Sequence, residues 1–523
     1  MGAPFDLNDD SVVVIIGTGA GGGTLGNELA QKGISVVALE AGGRYLPQDF
    51  INDEWDSFGQ LAWTDTRTTS GDWRVSRDFK NLPAWIVKAV GGTTTHWAGA
   101  SLRFQDHEWK AKTTYGEVEG ANLLDWPIDP REMDDYYTRA EDKMRVTRTG
   151  NRPGLPGSNN YKVFEAGAKA IGKQQVSTGR MAINSDETGE RMMCQQTGFC
   201  FQGCKWGAKW STAYTEVPEG EATGNMEVRE NSHVARILHD DTGKVTGVEY
   251  FDKDGTLQMQ KARIVCVAGN SIESPRLLLN SASEMFPDGL ANSSGQVGRN
   301  YMRHVTGSVY GIFDKPVKMW RGTTMAGIMQ DENIHDPERG FVGGYELETL
   351  SLGLPFMAAF MDPGRWGREF TTALDSYENM AGLWIVGEDM PQADNRITLN
   401  QDVKDQHGLP VANVNFSDHP NDIAMRDHAY KTGMAMYDAL GATRVLPTPP
   451  YPSSHNMGTN RMSEKPEDGV VNKHGQAHDV PNLFVSDGSQ FTTGAAENPT
   501  LTIVALAIRQ AEYIAAEMSN GTL

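Results

Sequence analysis

Runs of apolar residues alternate with glycine-rich and polar stretches at the amino end of the chain. Ser11–Ile16 and Ile34–Leu39 are short, almost continuously apolar runs. Between them lie a glycine-rich stretch, Gly17–Gly23, and a run with helical periodicity, Thr24–Lys32. Strands that are apolar throughout are typical of a parallel sheet covered on both faces. The segment therefore predicts a strand, a turn, a helix and a second strand.

The rest of the chain predicts further strands and two helices. Proline favours the first turn of a helix, so Ser274-Pro275 is expected to open one helix, and another is expected to begin near Pro499 after a strand and a glycine-rich turn. Residues 301–445 alternate between apolar and polar positions, which predicts a mixed or antiparallel sheet. Strands are expected at Met226–Arg229, Ala235–Leu238, Val245–Phe251 and Arg263–Ala268.

Charge and composition exclude several classes of protein. The 523 residues include 47 Lys and Arg against 68 Asp and Glu, a formal net charge of -21, which repels nucleic acids and anionic membrane surfaces. Apolar stretches such as Leu501–Ile508 are far shorter than the roughly 20 residues that cross a bilayer. No basic segment precedes an apolar run at the amino end, so we expect neither a transmembrane segment nor an export signal in this chain.

The glycine-rich stretch after the first strand has the pattern G-x-G-x-x-G. Gly17, Gly19 and Gly22 stand between a predicted strand and a predicted helix, and Glu40 follows the next strand. Glycines at these positions let the backbone approach a pyrophosphate at a helix N-terminus, and an acidic residue such as Glu40 can accept hydrogen bonds from ribose hydroxyls. The pattern predicts dinucleotide binding but does not distinguish FAD from NAD.

Three further segments resemble the signatures of the glucose-methanol-choline (GMC) oxidoreductases. They are Val90–Trp97 with Arg103-Phe104, Cys266–Leu278, and His455–Gly458 with Asn498–Thr502, in the order found in the family. The resemblance extends from about residue 11 to residue 515 and implies that the dinucleotide is FAD. It further implies FAD contacts at Gly91, Gly92, Thr93, His96, Trp97, Val234, Asp487, Pro499 and Thr500.

The role of His96 stays open at this point. In pyranose oxidases, which the flavin loop resembles, a histidine at this position is bonded covalently to the flavin. The sequence is compatible with a covalent link, with a non-covalent flavin contact and with simple packing. The neighbouring Gly91-Gly92 and Thr93 suit the placement of backbone N–H groups against the edge of the isoalloxazine ring.

The expected catalytic pair is His455 and Asn498. Oxidation of an alcohol by hydride transfer requires removal of the hydroxyl proton, and imidazole titrates near working pH. His455 is therefore the expected general base, and Asn498 is expected to hydrogen-bond the same substrate oxygen. The other histidines, including His304, His474 and His478, are expected to be packing or surface residues.

Three of the four cysteines lie close together along the chain. Cys194, Cys200 and Cys204 have the spacing C-x5-C-x3-C in a loop that contains glycines. Thiolates so close can hold an iron–sulfur centre, whereas the spacing does not suit zinc and no nearby histidine completes a zinc site. Bacterial flavin-dependent sugar dehydrogenases, which the chain resembles, carry a [3Fe-4S] cluster on such a triplet. Reduced structural thiols are the alternative, and Cys266 is expected to be buried and inert.

The sequence thus predicts an α/β protein of GMC type with two domains. A Rossmann-like FAD-binding domain is expected from segments 8–130, 216–300 and 446–523. A substrate domain on a mostly antiparallel sheet is expected from segments 131–215 and 301–445, with the iron–sulfur loop at 194–204.

The expected reaction is oxidation of a hydroxyl of a sugar, glycoside or polyol, with FAD and a [3Fe-4S] cluster as cofactors. By resemblance, the expected partners are a cytochrome c acceptor and a small, chaperone-like export subunit that takes the chain to the periplasm, with a cytoplasmic location as the alternative. An oxygen-reducing pyranose or alcohol oxidase, a lyase with a structural flavin, and an electron-transfer or binding module are the rival readings.

Overall fold

We describe the fold from a computed structural model. It describes residues 5–58, 69–70, 86–187, 191–354, 357–358, 361, 366–451 and 453–523. The α-helices within these residues are Ala20–Gln31, Glu54–Phe58, Ala111–Tyr115, Met133–Met144, Asn159–Ala170, Glu216–Ala222, Asn270–Asn280, Arg368–Asp375, Pro420–Asp438 and Thr500–Asn520.

A parallel sheet of five strands contains the predicted amino-terminal strand. The strand Val13–Ile16 is fully buried and pairs in parallel with Val36–Leu39 on one side and Ile264–Val267 on the other. Helices Ala20–Gln31 and Thr500–Asn520 pack together beside it. The order across the sheet is Leu483–Val485, Ile264–Val267, Val13–Ile16, Val36–Leu39 and Met226–Arg229.

A second sheet of six strands is antiparallel throughout, and four of its strands lie wholly within residues 301–445, where such a sheet was predicted. Its strand Val305–Ile312 is entirely buried, and helix Pro420–Asp438 packs against it. Gly307 and Gly311 of the strand leave room for the rings of Tyr430 and Tyr437 of that helix. The strand order is Arg444–Pro447, Val305–Ile312, Met380–Gly387, Tyr345–Thr349, Ile328–Met329 and Val176–Ser177.

Two sheets of three strands complete the strand arrangement of the described residues. One is an antiparallel meander, His233–His239, Val245–Phe251 and Leu257–Lys261. The other joins Arg396–Lys404, Pro410–Asn415 and Thr69–Ser70. A parallel sheet flanked by helices, together with antiparallel sheets, confirms the predicted α/β fold class.

Two predicted helix starts were wrong. The first helix begins at Ala20, so Gly21, Gly22 and Gly23 form its first turn instead of a loop. A Cβ at Gly21 would lie 1.6 Å from the carbonyl oxygen of Ser486, and one at Gly22 would lie 2.1 Å from that of Gly17. These glycines therefore permit close packing of the helix, which their sequence pattern does not distinguish from turn formation.

The second helix begins at Asn270, five residues before the proline that was expected to open it. The side-chain oxygen of Asn270, the first helical residue, accepts a hydrogen bond from the backbone N–H of Ile272, one of the N–H groups of the first turn that have no partner within the helix. Pro275 then lies inside the helix, where it has no N–H to donate to the carbonyl of Ser271. The hydroxyl of Thr459 donates to that carbonyl instead, at 2.8 Å, which makes the internal proline tolerable.

Candidate active site

One elongated cavity connects the dinucleotide turn with the predicted catalytic pair. Its wall includes His455 and Asn498 at one end and the turn after the first strand at the other. Most of the residues predicted to bind the cofactor also line it, namely Gly17, Gly19, Glu40, Gly92, Thr93, Trp97, Val234, Asp487, Pro499 and Thr500. The structure thus brings these distant segments to one site.

Glycines form the wall where two backbones meet. A Cβ at Gly92 would lie 3.0 Å from the Cα of Gly19, so the dinucleotide turn and the flavin loop touch without an intervening side chain. Gly17 has φ +99°, and a Cβ there would lie 2.4 Å from the carbonyl oxygen of Ala268. Such a bare backbone cradle at the start of helix Ala20–Gln31 fits the pyrophosphate of FAD.

Glu40 fixes the shape of this turn. Its carboxylate accepts hydrogen bonds from the backbone N–H and the hydroxyl of Thr18, at 3.0 and 2.8 Å, and from the N–H of Gly42 at 3.0 Å. Burial raises the pKa of Glu40, while these three hydrogen bonds act in the opposite direction. A carboxylate offers about four acceptor positions, so one remains for a ribose hydroxyl.

Three residues predicted to bind the cofactor do not line the cavity. Gly22 lies in the first helical turn, and the N–H of Gly91 donates to the Thr18 hydroxyl at 3.1 Å.

His96 is buried, and its Nδ1 is hydrogen-bonded to the carbonyl oxygen of Phe201 in the cysteine loop. Burial, reinforced by the charge of Lys209, lowers the pKa of His96 to about 3. The covalent link through His96, the non-covalent flavin contact and simple packing therefore all stay open as alternatives.

His455 lines the cavity as a neutral base. Its backbone N–H donates to the hydroxyl of Ser453 at 2.9 Å, and its ring lies 5.4 Å from that of Trp384, measured between centroids. Burial lowers the pKa of His455 to about 3, so the imidazole is neutral near pH 7. A neutral imidazole is the form that can take a proton.

His304, expected from the sequence to be a packing residue, is the direct neighbour of His455. The two Nδ1 atoms are 2.9 Å apart although the residues are separated by 151 positions along the chain. Met302 and Met457 exchange two backbone hydrogen bonds as an isolated antiparallel bridge. Continuing that register by two residues brings His304 opposite His455, a relationship for which the sequence carries no signal.

Asn498, the second predicted catalytic residue, precedes the helix Thr500–Asn520 and is almost fully buried at the cavity wall. The carboxyl group of Glu348, from the antiparallel sheet, lies against its side chain. Burial raises the pKa of Glu348 to about 8, which keeps this carboxyl largely protonated near pH 7. The sequence analysis missed Glu348 because its neighbours on the strand are ordinary alternating residues.

The three clustered cysteines converge on a second, smaller cavity. Cys194, Cys200 and Cys204 line it together with Gly198 and Gly203, both with positive φ. The side-chain amide of Gln196 donates to the sulfur of Cys194 at 3.3 Å, and the N–H of Lys209 donates to that of Cys204 at 3.5 Å. Burial raises the pKa of Cys194 to about 12. Cys266 is buried within the parallel sheet, as expected.

Lys209 joins the cysteine loop to the flavin loop. Its fully buried ammonium group donates to the carbonyl oxygens of Thr95, Trp97 and Cys200, at 2.9, 2.6 and 2.7 Å. Burial lowers the pKa of Lys209 to about 8. A buried lysine of this kind carries no recognisable sequence motif.

Within the described ranges, no group of three or more His, Cys, Asp or Glu side chains has the arrangement of a site for a single metal ion. Cys194, Cys200 and Cys204 nevertheless line one cavity. Each cysteine ligand of an iron–sulfur cluster binds a different iron, so such ligands need not converge on one point.

The parallel sheet, the glycine cradle and a buried histidine in one cavity define a dinucleotide-dependent oxidoreductase. Two protein-family sequence models, both described as GMC oxidoreductase, match the chain, one over residues 15–306 and one over residues 391–507. The chain belongs to the GMC oxidoreductase family, whose cofactor is FAD, and is an oxidoreductase that acts on CH–OH groups.

Relatives with assigned names match over nearly the whole chain. A 2-methyl-1,2-propanediol dehydrogenase of Mycolicibacterium austroafricanum is 33% identical, with 98% of this chain and 96% of that protein covered. The fructose dehydrogenase large subunit of Gluconobacter japonicus is 27% identical, with 97% and 98% covered. The paromamine 6'-oxidase of Streptomyces fradiae is 28% identical, with 98% and 93% covered.

Solved structures share the fold at low sequence identity. A formate oxidase of Aspergillus oryzae is 16% identical with a TM-score of 0.67, and 98% of this chain and 99% of that chain are covered. An FAD-dependent oxidoreductase of Chaetomium thermophilum is 14% identical with a TM-score of 0.66, and 98% and 100% are covered. No helix among the described residues has the length and apolar character needed to cross a membrane.

Proposed function

We propose that the protein is an FAD-dependent dehydrogenase that oxidises a hydroxyl group of an uncharged polyol, sugar or glycoside. One observation carries this proposal. The neutral imidazole of His455 and the amide of Asn498 line the same cavity as the glycine cradle for FAD. A hydroxyl compound held at that end can lose its proton to a base while its carbon faces the cofactor.

Each residue at this end of the cavity has a separate role in the proposed reaction. The substrate hydroxyl lies between His455 and Asn498, the amide of Asn498 donates a hydrogen bond to its oxygen, and the Nε2 atom of His455 takes its proton. Bound FAD supplies the acceptor for the hydride that leaves the substrate carbon. Trp384 covers the His455 ring and helps to exclude water from this end of the cavity.

The charges of the cavity favour an uncharged substrate. The described Asp, Glu, Lys and Arg residues that line it are Glu40, Lys88, Glu273, Arg276 and Asp487. Arg276 pairs with Glu273 at 2.9 Å, Lys88 lies 4.0 Å from Glu273, and Asp487 accepts from the N–H of Asn270 at 2.8 Å. These charged groups are thus engaged by neighbouring protein groups in the part of the cavity that would hold the cofactor. Two relatives are named for neutral hydroxyl compounds and one for the anion gluconate, so the preference for an uncharged substrate rests on the charges of the cavity.

For the exit of electrons, we propose a [3Fe-4S] cluster and an external acceptor of the cytochrome c type. Cys194, Cys200 and Cys204 would hold the cluster, whose chemistry is transfer of single electrons. The shared cavity of the three sulfurs supports this assignment, as do the N–H groups that two of them accept. Phe201 lies in the cysteine loop and also lines the FAD cavity, which makes the path short.

The proposal extends to partners and location. One relative is named a large subunit, which supports a complex in which a small subunit accompanies this chain. We propose that this subunit carries the chain to the periplasm, where a cytochrome c accepts the electrons. Recovery of the native complex only from the cytoplasmic fraction of its host would contradict this part of the proposal.

Direct reduction of oxygen is the second candidate, because three relatives are named oxidases. Anaerobic addition of 1,2-propanediol, fructose, methyl glucoside or gluconate to the holoenzyme tests both candidates through the visible spectrum of the flavin. We expect bleaching by a neutral compound, none by gluconate, and reoxidation by a dye without hydrogen peroxide. Bound iron favours the dehydrogenase, whereas peroxide without iron favours the oxidase. No bleaching by any hydroxyl compound would rule out both.

A further inference from the structure

His304 and His455 are in direct contact, and of these two rings only that of His455 lines the cavity. Their rings are nearly perpendicular, at 85°, with centroids 4.9 Å apart and the two Nδ1 atoms in contact at 2.9 Å. His455 lines the cavity, whereas His304 lies behind it and is 2% exposed. Because Nδ1 of His455 is engaged by His304, Nε2 is the only ring nitrogen of His455 that can reach a substrate.

A contact between two ring nitrogens requires one proton, and two arrangements supply it. If His304 carries the proton on Nδ1, then His455 is protonated on Nε2 and presents a donor to the cavity. If His455 carries it on Nδ1, then its Nε2 presents a lone pair and can take a proton. Which arrangement holds decides whether His455 can act as a base without a prior rearrangement.

We propose that His304 is a positioning residue that accepts the Nδ1–H of His455 and thereby holds Nε2 of His455 as the proton acceptor. The inference rests on the proposed function, since it assigns to His304 the orientation of the base in that reaction. When Nε2 takes the substrate proton, His455 becomes an imidazolium, and its bond to the Nδ1 lone pair of His304 becomes charge-assisted and stronger. His304 therefore favours the proton transfer as well as the starting tautomer.

The backbone holds His304 in a conformation that a free chain avoids. Its φ is +65°, a left-handed conformation that residues other than glycine rarely adopt. Asp389 accepts hydrogen bonds from the backbone N–H groups of Arg303, at 2.7 Å, and His304. The Ser453 hydroxyl donates to the carbonyl of Arg303 at 2.6 Å and accepts from the N–H of His455, which links the two segments.

No carboxylate is hydrogen-bonded to either ring among the described residues, so the pair has no anion to hold a second proton. Burial lowers the pKa of both His304 and His455, and the neighbouring His455 lowers that of His304 further. Both rings are therefore neutral before the reaction, and a single proton lies between their Nδ1 atoms. Two charged groups of neighbouring residues also bond elsewhere: the carboxylate of Asp389 accepts from the backbone N–H of Arg303, and the guanidinium of Arg303 lies 4.4 Å from the centre of the Phe416 ring.

Two substitutions at His304 separate the hydrogen bond from the backbone strain. Glycine adopts a positive φ freely and removes the acceptor, so His304→Gly tests the loss of the ring alone. Asparagine also tolerates this conformation, and its Oδ1 stands close to the position of Nδ1, so His304→Asn keeps an acceptor for His455. We expect the anaerobic rate of flavin reduction at saturating substrate to fall roughly 10²-fold or more in His304→Gly and to recover by at least tenfold in His304→Asn. Equal rates in the two variants would overturn the proposal.

Nitrogen NMR of histidine-labelled holoenzyme provides a readout that does not need turnover. A His455→Gln variant identifies the signals of His455 by their loss. We expect a protonated Nδ1 and an unprotonated Nε2 in the wild type and in His304→Asn, and a changed tautomer balance in His304→Gly. The opposite tautomer of His455 in the wild type would overturn the inference. If this signature is found but no hydroxyl compound reduces the flavin, only the proposed function fails.

Discussion

The buried ammonium group of Lys209 donates a hydrogen bond to the carbonyl oxygen of Cys200 at 2.7 Å. The same group donates to two carbonyls of the flavin loop, so a single side chain fixes the distance between the cysteine loop and the cofactor cavity. If electrons pass from the flavin to a cluster, this distance sets how fast they do so.

We predict that Lys209→Met destabilises the protein and loosens the contact between the two loops. Each buried carbonyl left without a donor costs roughly 1–3 kcal/mol, although removing a buried charge offsets part of this loss. The melting temperature should therefore fall, and reduction of an external acceptor should slow more than reduction of the flavin. Lys205→Met removes an exposed charge from the same loop and should change the free energy of unfolding by less than about 0.5 kcal/mol. Equal melting temperatures for the two variants would contradict the role of Lys209.

Replacement of any one of the clustered cysteines should separate the two halves of the reaction. We predict that Cys194→Ser, Cys200→Ser and Cys204→Ser each lower the iron content and the rate of dye or cytochrome reduction. Anaerobic bleaching of the flavin by substrate should persist, because the cysteines lie outside the FAD cavity. Cys266→Ala is the matched control, since Cys266 is buried in the parallel sheet away from the loop. Iron loss in Cys266→Ala, or full iron in the loop variants, would exclude a cluster at 194–204.

The role of Gly19 in FAD binding can be tested by a substitution that the surrounding protein accommodates without a steric clash. A Cβ at Gly19 would come no closer than 4.0 Å to another described atom, the Cα of Gly92, and would point into the cavity. We predict that Gly19→Ala lowers the affinity for FAD at least tenfold while leaving the melting temperature of the apoprotein nearly unchanged. Gly43→Ala makes an ordinary 3.6 Å contact with Asn231 outside the cavity and should bind FAD normally. Fluorescence titration of the apoproteins with FAD measures both, and equal affinities would show that the pyrophosphate does not lie at Gly19.

The parts of the site that the sequence predicted are those encoded by neighbouring residues. The glycines after Val13–Ile16 and the acid at Glu40 follow an apolar strand directly, so local pattern is enough to place them at the end of a parallel sheet. The segments around His455 and Asn498 were found through motifs of the family. In each case the functional residue lies within a few positions of the sequence pattern that predicts it.

The parts that the sequence did not predict depend on contacts between distant segments. His304 reaches His455 through the Met302–Met457 bridge, and Lys209 reaches Thr95 through burial across 114 positions. The first helix begins earlier than its sequence pattern predicts for a related reason, because the backbone of Ser486, and not a turn, requires glycine at position 21. Register and close packing of this kind arise only in the folded chain.

The general base should be separable from cofactor binding. We predict that His455→Ala lowers the anaerobic rate of flavin reduction by roughly 10²–10⁴-fold while FAD remains bound, because the cradle residues are unchanged. The ring of His474, stacked on Tyr513 outside the cavity, offers a matched control in His474→Ala. Stopped-flow absorbance measures both variants. An undiminished rate of flavin reduction in His455→Ala would show that another group acts as the base.

Stability should depend on pH through the buried carboxyl of Glu348. Burial raises its pKa to about 8 in the folded protein, against an ordinary value of 4.5 in the unfolded chain. Between these values the folded state binds the extra proton, so the contribution of Glu348 to stability is complete below about pH 4.5 and is lost as the pH rises through 8. Each unit of pKa difference corresponds to roughly 1.4 kcal/mol, and Glu388, whose pKa burial likewise raises to about 8, acts in the same direction.

Glu348→Gln isolates this contribution, because glutamine is neutral at every pH and keeps the shape of the protonated acid. We expect the wild type to lose stability relative to Glu348→Gln between about pH 5 and pH 8.5, measured as the free energy of unfolding in urea. Since the protonated Glu348 lies against Asn498, the rate of flavin reduction in the wild type should also fall as Glu348 ionises, and this loss should be smaller in the variant. A stability difference independent of pH would mean that the pKa of Glu348 is not raised in the folded protein.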